Sequence, residues 1–591
     1  MMNAEINQLT KSLLEKVTVQ IEGFDRRVEY KNLSLSQGMA SHHDFSFFWR
    51  FSEAPVEDFR QQAEVIQKYH ASRVLVKLKD EKGGEIRFIG VITQMHPSDA
   101  TGYIIQGKSL TVMLDDIPQS QTFIDKSLPD IIHDATRDIP QELIRSEGIS
   151  PKYPDNLAYI VQYNETDFTF IRRMARRYGE WFYYDGEQLQ FGKLQSYSTE
   201  LVDKVNLHHF VPGSSILSHK VSLKGYDYEN AETLTEQKQT PEQNSRSLFA
   251  RNALNKSSQN VHNRQNRNYQ YVAHVGNNRE LQEMQKLLQK ASEANTVIYS
   301  GVSDAPLQIG GTVTIIKNGI QSEFVIIKAT HNSQAVGEYR CHFDAIPADM
   351  AVPHYTDPFH TIRTAETQPA VVTDNNDPKG LGRVKVKFHW DYESTWIRMV
   401  QPYGGSSKGF YFIPETGEEV LVAFEGGNAE KPYVTGTMYN GNQVSGYATA
   451  ENDLKVIHTR SGHIIKLNDA KGAENITITD KNKNTIFIDT VGNNIDITAN
   501  ETMTLNAKNM KINVEEDLAI QVGNNKSEIV GNDHMFSANN NDIQVNEEIK
   551  VISATYKQQA QEMTTDTSGE IKTNAGGLIT IASAEGVDYG E

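Results

Sequence analysis

Apolar and polar positions follow two different patterns in this 591-residue chain, and the change falls near residue 440. Before it, residues 371–440 hold short runs of alternating and β-branched residues, separated by turn sequences rich in Gly, Pro, Asn and Asp. After it, from about Gly462 to the end, aliphatic residues alternate with polar ones and aromatic residues are rare. The sequence therefore predicts a small closed β module followed by a long repetitive β tail.

The β module is predicted to be an OB-type Greek-key barrel over 370–445, because five short strands in about 70 residues fit that fold. Residues 353–369 contain three prolines and little periodicity, so a linker is placed at 356–369 before the barrel. The predicted barrel strands are Gly382–Phe388, Thr395–Gln401, Gly409–Ile413, Glu419–Phe424 and Tyr433–Gly436.

Residues 1–355 are predicted to be mainly β with a few helices. The polar segment 231–268 is interpreted as a long surface excursion of low order, since it has little apolar content to bury. The predicted strands are Val17–Glu22, Arg73–Leu78, Arg87–Thr93, Ser109–Leu114, Gly311–Ile316 and Glu323–Ala329.

Three helices are predicted there from apolar stripes at helical spacing: one after Ser52, one from Asn164–Thr166 and one over Arg279–Ala294. Their stripes are Phe59, Ala63 and Ile66; Phe168, Ile171, Ala175 and Tyr178; and Leu281, Met284, Leu288 and Ala291. The arginines of the second helix, which fall outside its stripe, are interpreted as a solvated face, with pairing to acidic neighbours as the alternative. They are Arg172, Arg173, Arg176 and Arg177.

The tail repeats a unit of about nine residues. Pairs of aliphatic residues two positions apart begin at 476, 486, 495, 503, 512 and 520, with a mean step of about 8.8 residues. The sequence Val-Gly-Asn-Asx occurs at 491–494, 522–525 and 530–533. Each unit is one strand plus a tight turn, whereas one turn of a single-chain solenoid needs roughly 20 or more residues.

Three chains wound together remove this difficulty, because they provide about 26 residues per turn and close strand edges that a lone chain leaves open. We therefore expect an obligate homotrimer with an intertwined, triple-stranded β-helical needle over 446–591. The alternative, a disordered or aggregation-prone polar tail, is disfavoured by the persistence of the alternation.

Charge and cysteine content narrow the function classes. The net charge of −18 argues against a nucleic-acid binder and against stable docking on anionic membranes. Residues 446–591 hold 22 acidic and 12 basic residues, a surface that keeps an elongated β structure soluble.

The single cysteine, Cys341, fits assembly in a reducing cytosol. The N-terminus lacks an apolar signal segment, so we expect cytoplasmic assembly and later secretion by another route.

Several segments resemble VgrG, the spike family of bacterial type VI secretion systems, which is similar to the fused hub and tail-spike proteins of contractile phages. Asp125–Ile132 and Gln162–Phe168 resemble hub segments of that family, and the Val-Gly-Asn-Asx copies resemble its needle repeat. The chain departs from the family at Tyr403, where tryptophan is usual, and at 427–432, where an acidic-Pro run is usual. The most specific segments are Gly382–Asp391, Trp396–Pro402, Phe412–Pro414, Gly417–Val422 and Gly436–Asn440.

The resemblance implies a hub over 1–355, built of two β-barrel-type domains that trimerise into a pseudo-sixfold ring. A hexameric Hcp-like tube protein would stack on this ring, baseplate proteins would surround it, and the needle would carry a PAAR-like tip and effectors. The implied function is a non-enzymatic, cell-puncturing spike. The alternatives are the spike of a phage-like extracellular contractile injection system and a glycan-binding tailspike.

Two sets of residues carry these expectations. Apolar alternation returns near the end of the chain, so cap docking is assigned to a tip platform near 577–591, at Leu578, Ile579, Thr580, Ile581 and Ala582. The neck motif is assigned a structural role in core and interface packing. It consists of Gly382, Arg383, Phe388, His389, Trp390, Asp391, Trp396, Arg398, Gln401 and Pro402.

No catalytic, cofactor or metal site is expected. The adjacent pairs His42-His43 and His208-His209 point to opposite sides of an extended backbone and would chelate poorly. Cys341 is interpreted as a buried structural thiol. No G-x-S-x-G, H-E-x-x-H or phosphate-loop motif is present, and the chain ends after the β tract, which leaves no room for a catalytic domain. His534 is interpreted as a solvent-facing turn residue, with an ion site on the threefold axis as the alternative.

Overall fold

The structure is a computed structural model. It divides into two units, Met1–Ile478 with Phe487–Ile495, and Thr479–Ile486 with Asp496–Glu591. The fold is mainly β, as predicted. No helix in the described part of the chain is both long and apolar enough to cross a membrane. The described residues are 16–51, 58–79, 84–98, 102–238, 248–264, 268–273, 275–334, 338–359 and 361–588.

The part of the chain before residue 350, called the hub below, is built mainly of strands. Strands β1 to β10 are Val17–Ile21, Glu29–Gly38, Asp44–Arg50, Arg73–Lys79, Glu85–Ser98, Gly102–Ser109, Gln119–Ser127, Asn156–Glu165, Phe182–Tyr184 and Leu189–Phe191. Strands β11 to β19 are Ser198–Val202, Leu207–Ser214, Val221–Asp227, Glu232–Lys238, Gln270–Tyr271, Val297–Ser303, Thr312–Lys317, Ile320–Ser333 and Arg340–Pro347.

One twelve-stranded sheet dominates the hub. Its main path is β1-β4-β5-β6-β3-β2-β18-β19-β16-β12, and β17 joins β11 to β18. Strands β1 to β6 form one part of this sheet, and the later strands β11, β12 and β16 to β19 form the other. The two parts meet where β2 pairs antiparallel with β18. Alternation decides which side chains face the core: in β3, Phe45, Phe47 and Trp49 are buried, while the residues between them are not.

Five α-helices occur among the described residues: α1 Phe59–Tyr69, α2 Leu128–Ala135, α3 Asp167–Tyr178, α4 Leu248–Lys256 and α5 Asn278–Ala294. The second predicted helix is confirmed as α3. The Thr166 hydroxyl caps its N-terminus by accepting from the Thr169 amide, and Gly179 ends it with a left-handed φ of 68°. The third is confirmed as α5, which begins after the cap residue Asn277.

The apolar stripe predicted for the first helix is wrong in part. Phe59 and Ala63 are exposed in α1, and the helix packs through Val65, Ile66 and Tyr69. Spacing alone does not show which side of a helix packs, and here the side that carries Val65 and Tyr69 faces the core. The predicted start of this helix, after Ser52, lies outside the described residues.

The strand predicted at Ser109–Leu114 is also wrong. Strand β6 ends at Ser109, whose amide donates to the His43 carbonyl, and a 3-10 helix follows over Leu110–Asp115. Leu110, Thr111 and Leu114 are all buried; the adjacent residues 110 and 111 would point to opposite faces of a strand, whereas a helical turn can bury both. The β-branched residues between them gave the misleading strand signal.

The polar segment 231–268 is more ordered than predicted in its described parts. Strand β14 pairs with β13, and α4 covers Leu248–Lys256. The β13–β14 hairpin packs on α5 around a small separate core containing Leu223, Leu234, Leu281 and Met284. The order of 231–268 could not be predicted from its low apolar content, because α5 and β13 supply most of the core residues.

Residues 368–440 are called the neck below. Their strands are β20 Gln368–Asp374, β21 Lys385–Phe388, β22 Arg398–Met399, β23 Gly404–Gly405, β24 Lys408–Gly409, β25 Glu419–Phe424 and β26 Pro432–Thr437. Five of them form a sheet in the order β21-β20-β25-β26-β22, and its core includes Val372, Val386, Val420 and Val434. The strand predicted at Gly409–Ile413 is wrong beyond Gly409, and β20 was not among the predicted strands.

The segment between β19 and β20 contains no helix or long strand in its described residues, and it is anchored to the rest of the chain. Thr356, Thr361 and Ala365 are buried in it. The Arg363 guanidinium donates to the carbonyls of Tyr163 and Asn164, which ties the segment to β8.

The tail begins with five short strands: β27 Leu454–His458, β28 Ile464–Asn468, β29 Asn475–Thr479, β30 Thr485–Asp489 and β31 Asn494–Thr498. The aliphatic pairs predicted for 476, 486 and 495 therefore lie in strands. The later pairs do not, because the described residues 499–588 contain no helix or strand. A strand needs a hydrogen-bonded neighbour, and a single copy supplies none there.

Candidate functional site at the junction of hub and neck

Helix α3 carries arginines that cross from the hub to the neck. Arg173 is buried, and its guanidinium donates to Glu165 of β8 at 2.7 Å and to the Val161 carbonyl at 2.6 Å. It also reaches Glu430, in the turn before β26 of the neck, at 3.3 Å. The same guanidinium is therefore bound by carboxylates of both parts.

Glu430 is shared by two arginines, because Arg177 donates to its second carboxylate oxygen. Burial alone raises the pKa of Glu430, but the attraction of Arg177 and Arg173 outweighs it and holds the pKa below its usual value. Arg176 binds Asp357 at 3.4 Å. The interpretation of these arginines as a solvated face is thus wrong for Arg173 and Arg177.

A second ionic cluster joins the β13–β14 hairpin of the hub to the neck. Arg383 is buried and grips Asp377 with two nitrogens, at 2.8 and 3.1 Å. Its remaining nitrogen donates to Glu229 at the hairpin tip at 2.6 Å, and Lys379 donates to the other Glu229 oxygen. The hydrogen bond from Arg383 is the main reason that the pKa of Asp377 lies far below its usual value.

Apolar contacts complete the junction. Trp390 stacks on Phe388 with ring centroids 4.9 Å apart, and its indole nitrogen donates to Gln368 at 2.9 Å. The ring also meets Tyr163 of β8 edge-on at 6.2 Å. Val161, Ala365 and Ala429 form a small core beside it that unites hub, linker and neck.

The neck motif thus divides between the junction and the surface. Arg383 and Phe388 are buried, Trp390 stacks on Phe388, and Gly382 adopts a left-handed φ of 69° that favours glycine. His389 and Asp391 are exposed and do not pack, and Pro402 is exposed as well. Two motif residues make contacts within the neck, Trp396 with Lys385 and Gln401 with the Phe412 carbonyl, and Arg398 contacts both Glu425 of the neck and Tyr228 of the hub.

Between the two ionic clusters lies a cavity of about 580 Å³. Tyr153, Met284 and Leu287 line it from the hub, and Arg383 and Trp396 line it from the neck. Most of the arginines and carboxylates on its wall pair with one another. The described lining therefore gives the cavity no concentrated charge of one sign that would select an ionic ligand.

No metal or nucleophilic site arises from the candidates considered. His42 lies between Thr111 at 2.7 Å and Asp115 at 2.6 Å, but the Thr111 hydroxyl is buried in the hub core, so no substrate can reach it. Burial raises the pKa of the Cys341 thiol to about 12, which makes it unreactive. The described residues contain no group of three or more potential metal ligands.

The junction residues in the hub were missed from the sequence, although one signal was present. Phe170 and Met174 form a second apolar stripe on α3, and Arg173 and Arg177 follow Phe170 by three and seven residues, on that same side. An arginine set within an apolar stripe is expected to be buried and paired. Glu229 and Glu430 gave no such signal, because their partners are distant in sequence.

The predicted cap-docking residues belong to the second unit. Leu578, Ile579 and Ile581 are exposed, and Leu578 is 91% exposed. Thr580 and Ala582 are exposed too, and none of the five lies in a helix or strand. His534 is exposed and lies 3.4 Å from Glu528. The roles assigned to these residues remain predictions.

Comparison with known proteins identifies both parts of the first unit. The family model described as "Phage tail baseplate hub (GPD)" matches residues 60–336. The model "Type VI secretion system/phage-baseplate injector OB domain" matches residues 368–439. The chain is 25% identical over 416 residues to "Type VI secretion system spike protein VgrG1b" of Pseudomonas aeruginosa, covering 60% of this chain and 53% of that protein. The resemblance to the VgrG spike proteins is confirmed.

Further VgrG proteins show the same relationship over shorter segments. "Type VI secretion system spike protein VgrG1c" of Pseudomonas aeruginosa is 32% identical over 173 residues, which are 25% of this chain and 23% of that protein. The chain thus spans about half of VgrG1b and about a quarter of VgrG1c. The solved "Structure of Francisella PdpA-VgrG Complex, Lidded" has a similar fold, with a TM-score of 0.52, 10% identity and coverage of 84% of this chain and 82% of that one.

Proposed function

We propose that this VgrG-like chain forms the trimeric spike of a contractile type VI secretion machine. The hub would cap the inner tube, and the needle would carry a PAAR-like tip and effectors into a target cell. The observation that carries the proposal is the order of parts on one chain: a baseplate-type hub, an injector-type OB neck and a β tail with exposed aliphatic rows.

The tail supports three copies because one copy cannot bury its own side chains. Ile497, Leu505 and Ile520 are all more than half exposed, and the same holds for most aliphatic residues of the second unit. Soluble monomers rarely expose so much contiguous apolar surface. Two further copies would cover these rows and supply the missing strand neighbours.

The first tail hairpin shows how such a shared core would begin. Strand β27 pairs with β28 so that Ile457 lies opposite Ile465, and Leu467 lies on the same face opposite Lys455. All three aliphatic side chains remain about 40% exposed in the single copy. We assign this face to the threefold axis.

The junction fits a part that must transmit force from hub to needle. The buried Arg173–Glu430 cluster, the Arg383 cluster, whose hub residue Glu229 is exposed, and an aromatic contact connect hub and neck at three separate points, around α3, the β13–β14 hairpin and Trp390. Buried charge pairs fix one relative orientation, because separating either partner leaves an uncompensated charge. A sheath contraction would therefore move hub and neck together.

The remaining roles follow from the same proposal. The tip platform at 577–591 would bind the PAAR-like cap through Leu578, Ile579 and Ile581, and baseplate proteins would bind around the hub. The chain would assemble in the cytoplasm and leave the cell with the machine. We assign no enzymatic activity to it.

A genetic experiment in the source bacterium tests the proposal. Deleting the coding sequence should abolish release of both the hexameric tube protein and the tip protein into the medium. Wild type and the exposed-site variant His389→Ala should restore release, while a chain truncated after Gly446 should not. Normal release by the deletion strain, with no second spike gene expressed, would contradict the proposal.

A further inference from the structure

The neck presents an aromatic hairpin that its own core does not use. Strands β23 and β24 form a tight two-stranded hairpin, and the rings beside it are about half exposed or more, with Tyr411 at 73%. Phe410 and Phe412 lie against each other, with centroids 5.9 Å apart. We call this surface the aromatic hairpin: Tyr403, Phe410, Tyr411 and Phe412.

The backbone holds these rings outward. The Phe410 amide donates to the Tyr403 carbonyl at 2.8 Å, and Gln401 donates to the Phe412 carbonyl at 3.2 Å. Gly409 has a φ of 135°, and a side chain there would lie 2.5 Å from the Tyr403 carbonyl oxygen. The hairpin is therefore a defined structure, and its exposed rings form a preformed contact surface.

A second apolar surface lies on the segment that follows β26. Met438, Tyr439 and Val444 are exposed there, Tyr439 at 77%. The segment is also held in place: Asn440 donates to the Glu419 carboxylate at 3.0 Å, and Gln443 donates to the Gly417 carbonyl at 3.0 Å. We call this surface the 438–444 surface.

Both surfaces adjoin the same turn, 414–419, which is also where the tail leaves the neck. The aromatic hairpin runs into this turn directly, and the 438–444 surface rests on Gly417 and Glu419. Arg460, at the start of the tail, binds Glu415 of the same turn at 3.0 Å. Three copies joined through their tails would therefore meet at this level.

A closed ring of three copies needs two unlike surfaces on each copy, because every contact is head-to-tail. A threefold rotation does not change the position of a surface along the axis. The aromatic hairpin of one copy therefore contacts the part of the neighbouring copy that lies at the same position along the axis. Aromatic residues and Met are also the side chains enriched at interface cores.

We propose that the aromatic hairpin of one copy packs on the 438–444 surface of the next copy and closes the neck into a three-membered ring. The inference rests on the proposed three-chain spike and adds the contact that sets its register. The occupant is a second copy of this chain. A carried effector on the same rings is an alternative that the experiment distinguishes.

Cysteine cross-linking tests the contact with little background, since the single native thiol, Cys341, is fully buried. Tyr411→Cys and Tyr439→Cys would be placed on two full-length chains with tags of different size and co-expressed. Treatment with a short bismaleimide should join the two tagged chains. The matched control replaces Tyr411→Cys with Phe59→Cys, on the exposed side of α1, and should give at least tenfold less mixed product.

The outcomes separate this inference from the proposed function. Mixed cross-links in a trimeric preparation support the contact. A trimer with no mixed product above the Phe59→Cys control overturns the inference and leaves the spike proposal standing. Capture of a different protein by the Tyr411→Cys chain, without self-cross-linking, also overturns it. A wild-type chain that is monomeric contradicts the proposed function itself.

Discussion

Arg173 on a hub helix donates to Glu430 of the neck at 3.3 Å, and both side chains are buried. Both carboxylate oxygens of Glu430 are held by arginines, since Arg177 binds the second one. The position lies in the turn where the chain departs from the usual family sequence. This contact therefore ties the hub to the neck.

Removing the shared carboxylate should weaken the junction strongly. Glu430→Ala leaves Arg173 and Arg177 buried without their neck acceptor, which we expect to cost about 3 kcal/mol of unfolding free energy. Urea denaturation followed by tryptophan fluorescence measures this. Glu425→Ala is the control, because its pair with Arg398 is solvent-exposed at 3.7 Å and should cost less than about 1 kcal/mol. Equal midpoints for the two variants would contradict the assignment.

The second cluster depends on the fork geometry of Arg383. Arg383→Lys keeps the charge but cannot bind Asp377 with two nitrogens and Glu229 with a third. We expect a loss of about 2 kcal/mol in the same unfolding measurement. Lys387→Ala, which breaks only the exposed pair with Asp391, should stay within about 0.5 kcal/mol of wild type. A wild-type midpoint for Arg383→Lys would show that the cluster contributes no stability.

Within the sequence His389-Trp390-Asp391, only the tryptophan is expected to matter for stability. Trp390→Ala removes the stacking on Phe388 and the hydrogen bond to Gln368, and we expect it to cost ~2 kcal/mol. His389→Ala, at an exposed neighbour, should change the unfolding free energy by less than ~0.5 kcal/mol. Thermal melts of the two variants give the comparison, and a larger effect at His389 would refute the packing assignment.

A buried histidine pair in the hub core should make stability depend on pH. His43 and His331 both contact Gln37, and His331 also bonds Tyr339 at 2.6 Å. Burial lowers the pKa of each histidine to about 3. Unfolded histidines take up protons below about pH 6.5, so the unfolded state binds more protons than the folded state between pH 6.5 and 3. Stability contributed by neutral burial is complete above that window and falls within it as pH drops.

The expected slope is up to about 1.4 kcal/mol per histidine for each pH unit inside the window. Urea midpoints of wild type at pH 7.5 and 5 would be compared with those of His331→Gln. The variant should lose less stability on acidification than wild type, whatever the carboxylates contribute to both. Identical losses would mean that His331 titrates normally in the folded state.

The tip prediction concerns the last residues of the chain. Removing Leu578–Glu591 should abolish co-purification of the PAAR-like cap while leaving the oligomer intact, because the apolar alternation at Leu578, Ile579 and Ile581 would form the docking surface. A pull-down of the tagged chain from the native host measures it. Thr565→Ser, at an exposed residue outside 577–591, serves as the control, and unchanged cap capture by the truncated chain would refute the platform.

The sequence predicted what local patterns encode. Alternation located most of the hub strands tested, and spacing with caps located α3 and α5, because those signals depend on neighbouring residues. Prediction from the sequence failed where tertiary contacts determine the secondary structure. The spacing of Leu110 and Leu114 fits both a strand and a 3-10 turn, and the turn forms because β6 ends at Ser109.

The junction could be predicted only in part. Gly382, Arg383 and Trp390 stood out through their family resemblance, whereas Glu229 and Glu430 became functional candidates only when the fold brought them to their arginines. The charge of Arg173 suggested solvent exposure, and its burial is explained by four acceptor residues, at 161, 165, 361 and 430. Such pairings span up to 257 residues, which no local pattern contains.

The central claim is that three copies form one spike, and the mass of the purified full-length chain tests it most directly. Mass photometry at nanomolar concentration should give a single species of three times the 66.5 kDa chain, about 200 kDa. The species should persist on dilution, because intertwined strands cannot separate without unfolding. A stable, folded species at the mass of one chain would contradict the account.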